Sequence, residues 1–190
     1  MEKKTQAVIN WHYGLRKLCE GAILIALAEV LSLLPLFKLP WGGSVDLAML
    51  PILLFCARWG FGPAMLVSFT HGIFQMLFAG GISIGWQSMV GDYLLAYAVL
   101  GVAGLFKGRF ALGTVVGCAA RFFVHYVVGA TLWAEYMPEE FFGMTMTTPW
   151  IYSALYNGAY MALDLVLILV AYVILSKTPL ARYFKGEDLK

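Results

Sequence analysis

The sequence predicts an all-α integral membrane protein: a six-transmembrane-helix bundle with N and C termini cytoplasmic and a short second helix. Three observations predict it. Of the 190 residues, 61% are hydrophobic and 13% charged, whereas about a quarter of a soluble domain's residues carry charge. A hydrocarbon core about 30 Å thick takes roughly 20 apolar residues per helix, so the chain holds about six spans with short connections. The third observation is the placement of the basic residues. Lys3, Lys4, Arg16, Lys17, Arg58, Lys107, Arg109, Lys177, Arg182, Lys185 and Lys190 fall on one side of six alternating spans, Lys38 falls on the other, and Arg121 lies within a helix. Lys and Arg concentrate in cytoplasmic loops, so both termini are expected inside, and dropping any one span would scramble the bias.

The elements follow in order. The basic N-terminus precedes an apolar run, as in a secretory signal. That run is too long and ends in "LPLFKLPWGG" without a small-residue cleavage pattern, so it is read as a retained first helix over 20–38. The second, 46–57, lies between Asp46 and Arg58 with Pro51 inside, and is expected to be tilted, kinked or only partly spanning. The third, 61–79, follows the tight connection "WGFGP"; the fourth, 90–106, ends at "FKGRF", and the fifth covers 111–134. The sixth, 152–176, follows "AEYMPEEFFGMTMTTPW", an outer loop with Glu135, Glu139 and Glu140 and no basic residue. Residues 1–190 thus form a single membrane domain: a cytoplasmic or interfacial N-terminus (1–19), the bundle (20–176) and a cytoplasmic tail (177–190). Cys19, Cys56 and Cys118 are scattered singly, without the paired spacing of a disulfide or zinc framework.

Ionisable groups inside spans are costly and mark function or pair with one another. Glu29, His71, Asp92, Arg121, His125 and Asp164 are of this kind. Arg121, His125, Gly129 and Trp133 recur every four residues, which puts them on one slowly drifting stripe of the fifth helix. Such a stripe faces the bundle or a wet cavity, because lipid does not tolerate it. Gly129 then leaves a gap for a flat ligand between His125 and Trp133. Asp92, Trp41, Tyr152 and Asn157 fall at the same outer level.

Bland readings stand beside these. The tryptophans and tyrosines also suit an interfacial aromatic belt, and Asp92 also suits an N-cap of the fourth helix. Arg121 and Asp164, at similar depth on adjacent helices, are expected to form a structural ion pair. Read together, one carboxylate and several aromatic faces suit a flat cationic ligand.

Absences narrow the function further. The sequence has no G-x-x-x-x-G-K-[ST] phosphate loop, no H-E-x-x-H, no G-x-S-x-G and no Cys or Asp cluster at metal spacing. It also shows no inverted repeat of the secondary-transporter type. A non-enzymatic binding subunit without cofactor or metal, powered by other chains, fits these absences. Ala22 and Ala26 form a small-x-x-x-small pair in the first helix, of the kind that lets another helix approach closely.

Several stretches carry a family resemblance: "AILIALAEVLSLLP", "WGGSVDLAMLPILLFCARWGFGP", "GDYLLAYAVLGVAGL", "RFFVHYVVGATLWAEYMP" and "PWIYSALYNG". In order and over nearly the whole chain, they resemble the substrate-binding S components of energy-coupling factor (ECF) vitamin transporters, in particular the thiamine-specific ones. The resemblance implies a bacterial cell-membrane protein with an outward-facing thiamine pocket. In it the pyrimidine would stack on Trp133, the thiazolium would lie near His125, and Asp92 would face the positive charge. Tyr93, Tyr152 and Asn157 would offer hydrogen bonds, and Trp41 would sit on a covering loop. Ala22 and Ala26 would dock onto a transmembrane coupling subunit that works with two ATPases. One departure weakens the role of Asp92: the family pattern has a glutamate there, one methylene longer. The alternatives are an S component for another flat vitamin, such as riboflavin or a pyridoxine-like compound, and a self-sufficient secondary transporter.

Overall fold

Prolines and buried polar groups set the helix ends in the computed structural model, which describes residues 2–39, 43–78 and 83–189. Helix α1 (Glu2–Ser32) is continuous from the N-terminal segment into the apolar run. It stops ahead of Pro35, whose ring disfavours helical geometry at the preceding residue. The expected span of 20–38 is therefore corrected at both ends. Lys38 lies instead in a short antiparallel pair, β1 (Phe37–Lys38) with β2 (Ser44–Val45). Gly43, just before β2, is needed for close approach: a Cβ there would stand 2.9 Å from the Tyr160 ring.

Helix α2 (Met49–Trp59) is the most deeply packed element, with Ile52, Leu53, Phe55 and Cys56 essentially inaccessible. Its eleven residues rise only about 16 Å, so it is short, as expected, but central rather than peripheral. Pro51 does not kink it, because it falls in the first turn, where its missing N–H would have no helical partner.

Helix α3 (Phe61–Phe78) follows directly. Helix α4 (Trp86–Phe106) begins earlier than the expected 90 and changes pitch along its length. It is π-helical over Met89–Leu95 and tightens to 3-10 over Val99–Phe106. Helix α5 (Phe110–Thr131) is followed by a 3-10 turn (Ala134–Tyr136) and the hairpin β3 (Glu140–Phe141) to β4 (Met144–Thr145). Helix α6 (Pro149–Leu175) opens with Thr148 accepting the Ile151 N–H at 3.3 Å and Pro149 at its first position, a strong start signal.

Four of these helices (α3, α4, α5 and α6) are long and apolar enough to cross a membrane by themselves. In α1 the apolar stretch is bounded by Glu20 and Glu29, and α2 is too short. Contacts nonetheless show all six running in alternating directions. At one end Arg58 of α2 meets Glu20 of α1 and Asp188, and Gly108 donates to the Ala57 carbonyl at 2.8 Å. At the other, Glu29 of α1 meets His71 and Gln75 of α3, and the end of α5 faces the starts of α4 and α6. The N-terminal half of α1 and the C-terminus thus share the Arg58 end, the cytoplasmic one by the distribution of charge.

The C-terminal segment is not a loose tail. Helix α7 (Ala181–Lys185) turns back on the bundle and buries Phe184 against Phe110 and Tyr172, with ring centroids 4.9 and 5.2 Å away. Arg58, 2% exposed, fastens it: besides bonding Glu20, the guanidinium donates to Asp188 at 2.8 and 2.9 Å and to the Tyr183 carbonyl at 2.9 Å. Arg16 bonds the same aspartate.

Its hydrogen bonds to Arg58 hold the Asp188 carboxyl below the usual carboxylate range. A carboxylate of depressed pKa stabilises the fold above its ordinary value near 3.9, and that contribution is lost as pH falls through the depressed value. Arg58→Met should therefore cost about 3 kcal/mol at neutral pH, seen as a lower thermal midpoint. The deficit against the unsubstituted protein should shrink in acid; a deficit independent of pH would assign it to packing alone.

Candidate functional site

At the end of the bundle opposite Arg58, the helices part around a cavity of about 620 Å³. Its wall is built from α1 (Glu29), the β1–β2 segment (Lys38, Gly43, Asp46), the π-helical part of α4 (Asp92, Tyr93), α5 (Arg121, His125) and α6 (Tyr152 to Asp164). Two four-residue rows supply most of it. On α5, Arg121 lies deepest, His125 one turn above, and Trp133 just beyond the helix end. On α6, Tyr152, Tyr156, Tyr160 and Asp164 line the cavity in register, as residues four apart on a helix must.

Asp92 is the centre of the polar geometry. One carboxylate oxygen lies 3.0 Å from His125 Nδ1, and the other accepts the Trp133 indole N–H at 2.8 Å. Arg121 Nε donates to His125 Nε2 at 3.4 Å. That leaves Nε2 as the acceptor, so the imidazole is neutral and presents its Nδ1 proton to Asp92. Asp92 is thus aimed and hydrogen-bonded by neutral donors, and its negative charge remains available to a ligand. Asp92 is not a helix cap: it sits in the second turn of α4, where the π-helical stretch begins. Single π-helical turns are often found at functional sites.

The Arg121–Asp164 ion pair is not formed. The Arg121 guanidinium carbon lies 3.9 Å from the Tyr97 ring centroid, and Asp164 accepts the Asp46 backbone N–H at 2.9 Å. The cation is met by the Tyr97 ring and by His125, and the carboxylate by the turn before α2, so depth alone does not make them partners.

Gly129 also differs from expectation. It borders the cavity, but a Cβ there would lie 2.4 Å from Ser153 Oγ and 3.1 Å from Asn157 Nδ2. The missing side chain lets α6 approach α5 rather than opening a slot for a ring. Asn157 is largely engaged inside the protein: its amide donates to the Ser153 and His125 carbonyls, and its oxygen accepts the Tyr160 hydroxyl at 3.0 Å. Tyr93 and Tyr152 line the cavity. Trp41 lies outside the described residues.

A second polar group in the same wall was only half legible. Glu29 bonds His71 Nδ1 at 2.7 Å and accepts the Gln75 amide at 2.8 Å, and Tyr97 donates to Gln75 at 3.1 Å. The signal was present as His71 and Gln75 four residues apart on α3, but nothing in the sequence says which helix Glu29 faces. Among the lining side chains carboxylates outnumber cations, with Glu29, Asp46, Asp92 and Asp164 against Lys38 and Arg121. With Tyr97, Trp133, Tyr136, Tyr152, Tyr156 and Tyr160 around them, the cavity suits a flat cation. No group of three or more His, Cys, Asp or Glu that could hold a metal ion occurs among the described residues.

Comparisons with known proteins agree on one family. A family model described as "Thiamine transporter protein" matches residues 18–183. The chain is 27% identical over 188 residues to the thiamine transporter ThiT of Bacillus subtilis (strain 168), covering 90% of this chain and 95% of that protein. It is 26% identical over 202 residues to the thiamine transporter ThiT of Lacticaseibacillus paracasei, covering 94% and 95%. A solved structure of ThiT from Listeria monocytogenes superposes with a TM-score of 0.77 at 25% identity, covering 90% of this chain and 97% of that one.

Proposed function

We infer the role of this chain from one premise: it belongs to the thiamine transporter protein family. It is a multi-pass membrane S component that binds thiamine as a substrate for transport; it is not an enzyme and uses no cofactor. Its partners are the modules that supply energy for import. We propose that these are a transmembrane coupling subunit and two ATPases, and that the coupling subunit meets α1 at Ala22 and Ala26. Both alanines are exposed on the outside of the bundle, so a partner helix can reach them without disturbing the core.

The proposed thiamine site is the cavity around Asp92. The observation that carries it is a carboxylate fixed by His125 and Trp133 in a wall otherwise rich in aromatic rings. The positively charged thiazolium would lie near Asp92 and His125, and the pyrimidine against Trp133. Tyr93 and Tyr152 would meet the ligand's polar edges, Asn157 would set the position of Tyr160 and the α5–α6 seam, and Trp41 belongs to the same expectation. Away from bulk water, a unit charge pair about 4 Å apart is worth about 4 kcal/mol at an effective dielectric of 20. Each cation–π contact adds about 0.5–2 kcal/mol.

Calorimetric titration of ligand-free protein with thiamine tests this reading. Saturable one-to-one binding with quenched tryptophan emission is expected, and no heat and no quenching would contradict it. Two substitutions separate the roles of Trp133. Trp133→Ala should weaken thiamine by about 1–3 kcal/mol, since both ring stacking and the N–H to Asp92 are lost. Trp133→Phe should recover part of that loss by restoring only the ring. Equal affinity in all three proteins would return Trp133 to the interfacial belt.

A further inference from the structure

Away from the cavity, a second hollow of about 170 Å³ runs along the outside of the bundle between α1, α2 and the C-terminal segment. Its wall is wholly apolar: Leu24, Leu27 and Leu31 from α1, Leu50 and Leu54 from α2, and Leu180 with Tyr183 at the cytoplasmic end. From Leu24 to Leu31 the wall climbs roughly 10 Å along the α1 axis. At about 170 Å³ the hollow is far too small to take in a helix 10–12 Å across, and its apolar wall suits a hydrocarbon chain. At about 100° per residue, the three leucines also lie on the opposite side of α1 from Ala22 and Ala26, so this is not the small-residue edge.

The cytoplasmic mouth of the groove carries a cation that meets no carboxylate among the described residues. Arg182 is exposed, its guanidinium sits 4.9 Å from the Tyr183 ring centroid, and it donates to the Tyr183 hydroxyl at 3.0 Å. Its neighbours Arg16, Arg58 and Lys185 each have a carboxylate partner, whereas Arg182, like Lys17, Lys107, Arg109 and Lys177 at this end, has none among the described residues. Arg182 is thus held at the mouth by an aromatic ring while its charge is left unmatched. Tyrosine and arginine together at this level match the interface between acyl chains and headgroups, and guanidinium groups favour phosphate oxygens.

We propose that this groove seats one acyl chain of an anionic phospholipid of the cytoplasmic leaflet, with the lipid phosphate on Arg182. The lipid fills a gap between α1, α2 and α7 and so braces the C-terminal clasp around Arg58. The site rests on the membrane orientation of the chain and is independent of thiamine recognition.

Native mass spectrometry of the purified chain with phosphatidylglycerol or phosphatidylcholine of identical chains tests it, with thiamine binding followed in parallel as a check on the fold. One phosphatidylglycerol should be retained about fivefold more than phosphatidylcholine. Arg182→Gln should equalise the two lipids, and Leu27→Trp, which fills the groove from α1, should reduce both. If Leu27→Trp does not fold, the Arg182→Gln comparison decides alone. Equal retention of the two lipids by the unsubstituted protein, or a preference that survives Arg182→Gln, would overturn the proposal. Retention seen only after assembly with the energising partners would overturn it too, because the groove would then be a subunit seam.

Discussion

Asp92→Asn is expected to weaken thiamine binding by about 3–4 kcal/mol, a few hundred-fold in Kd, while leaving the protein folded. The substitution is nearly isosteric, so the amide can still occupy the space between His125 and Trp133, but it offers one acceptor where the carboxylate offers two. Two losses combine: the counter-charge for the thiazolium, and one of the hydrogen bonds at 3.0 and 2.8 Å that aim His125 and the indole. A neutral analogue, with the thiazolium nitrogen replaced by carbon, separates them. It should bind the unsubstituted protein more weakly than thiamine does and lose little more on Asp92→Asn. Equal losses for thiamine and the neutral analogue would show that Asp92 only orients its neighbours.

The second large effect is on transport rather than binding. Replacing Ala22 and Ala26 together with leucine should reduce thiamine uptake by whole cells to background while calorimetric affinity stays within about twofold, a difference below 0.5 kcal/mol. Both positions face outward on α1, whereas Ile25 and Ala28 on the adjoining face are buried in the core. Added bulk therefore obstructs an approaching helix without entering the cavity, whose nearest α1 group is Glu29. Loss of binding together with uptake would mean that α1 itself had been displaced, and normal uptake would remove the docking role of the pair.

Much of the fold was readable because a bilayer imposes one-dimensional rules. The asymmetry of Lys and Arg required an even number of spans, and the alternating helix directions follow it. The helix ends were less readable, since they depend on local partners. Helix α1 ends before Pro35 because the chain must turn into β1, and α4 extends back to Trp86 through a change of pitch that hydropathy does not register. Arg58 shows the limit of reading charge as topology: it lies at the expected end, but buried under Asp188 and Glu20 rather than facing the interface.

The site shows a similar division. Arg121, His125 and Trp133 were legible as one stripe because helical spacing is regular. Their partner Asp92 was legible only as an ionisable group at the same level. Arg121 and Asp164 were paired on depth alone, and depth does not reveal that Tyr97 offers the arginine a face or that Asp46 presents an N–H to the aspartate. Gly129 carried the wrong inference for a related reason: a missing side chain in sequence does not say which neighbour fills the space, and here Ser153 does.

The most direct measurement is a crystal structure of the thiamine-loaded protein. The thiazolium should lie within about 5 Å of the Asp92 carboxylate, close enough for a strong charge contact, with the pyrimidine parallel to the Trp133 indole and His125 still joined to Asp92. Thiamine bound elsewhere on the chain, or in the cavity with its charge turned away from Asp92, would contradict the account.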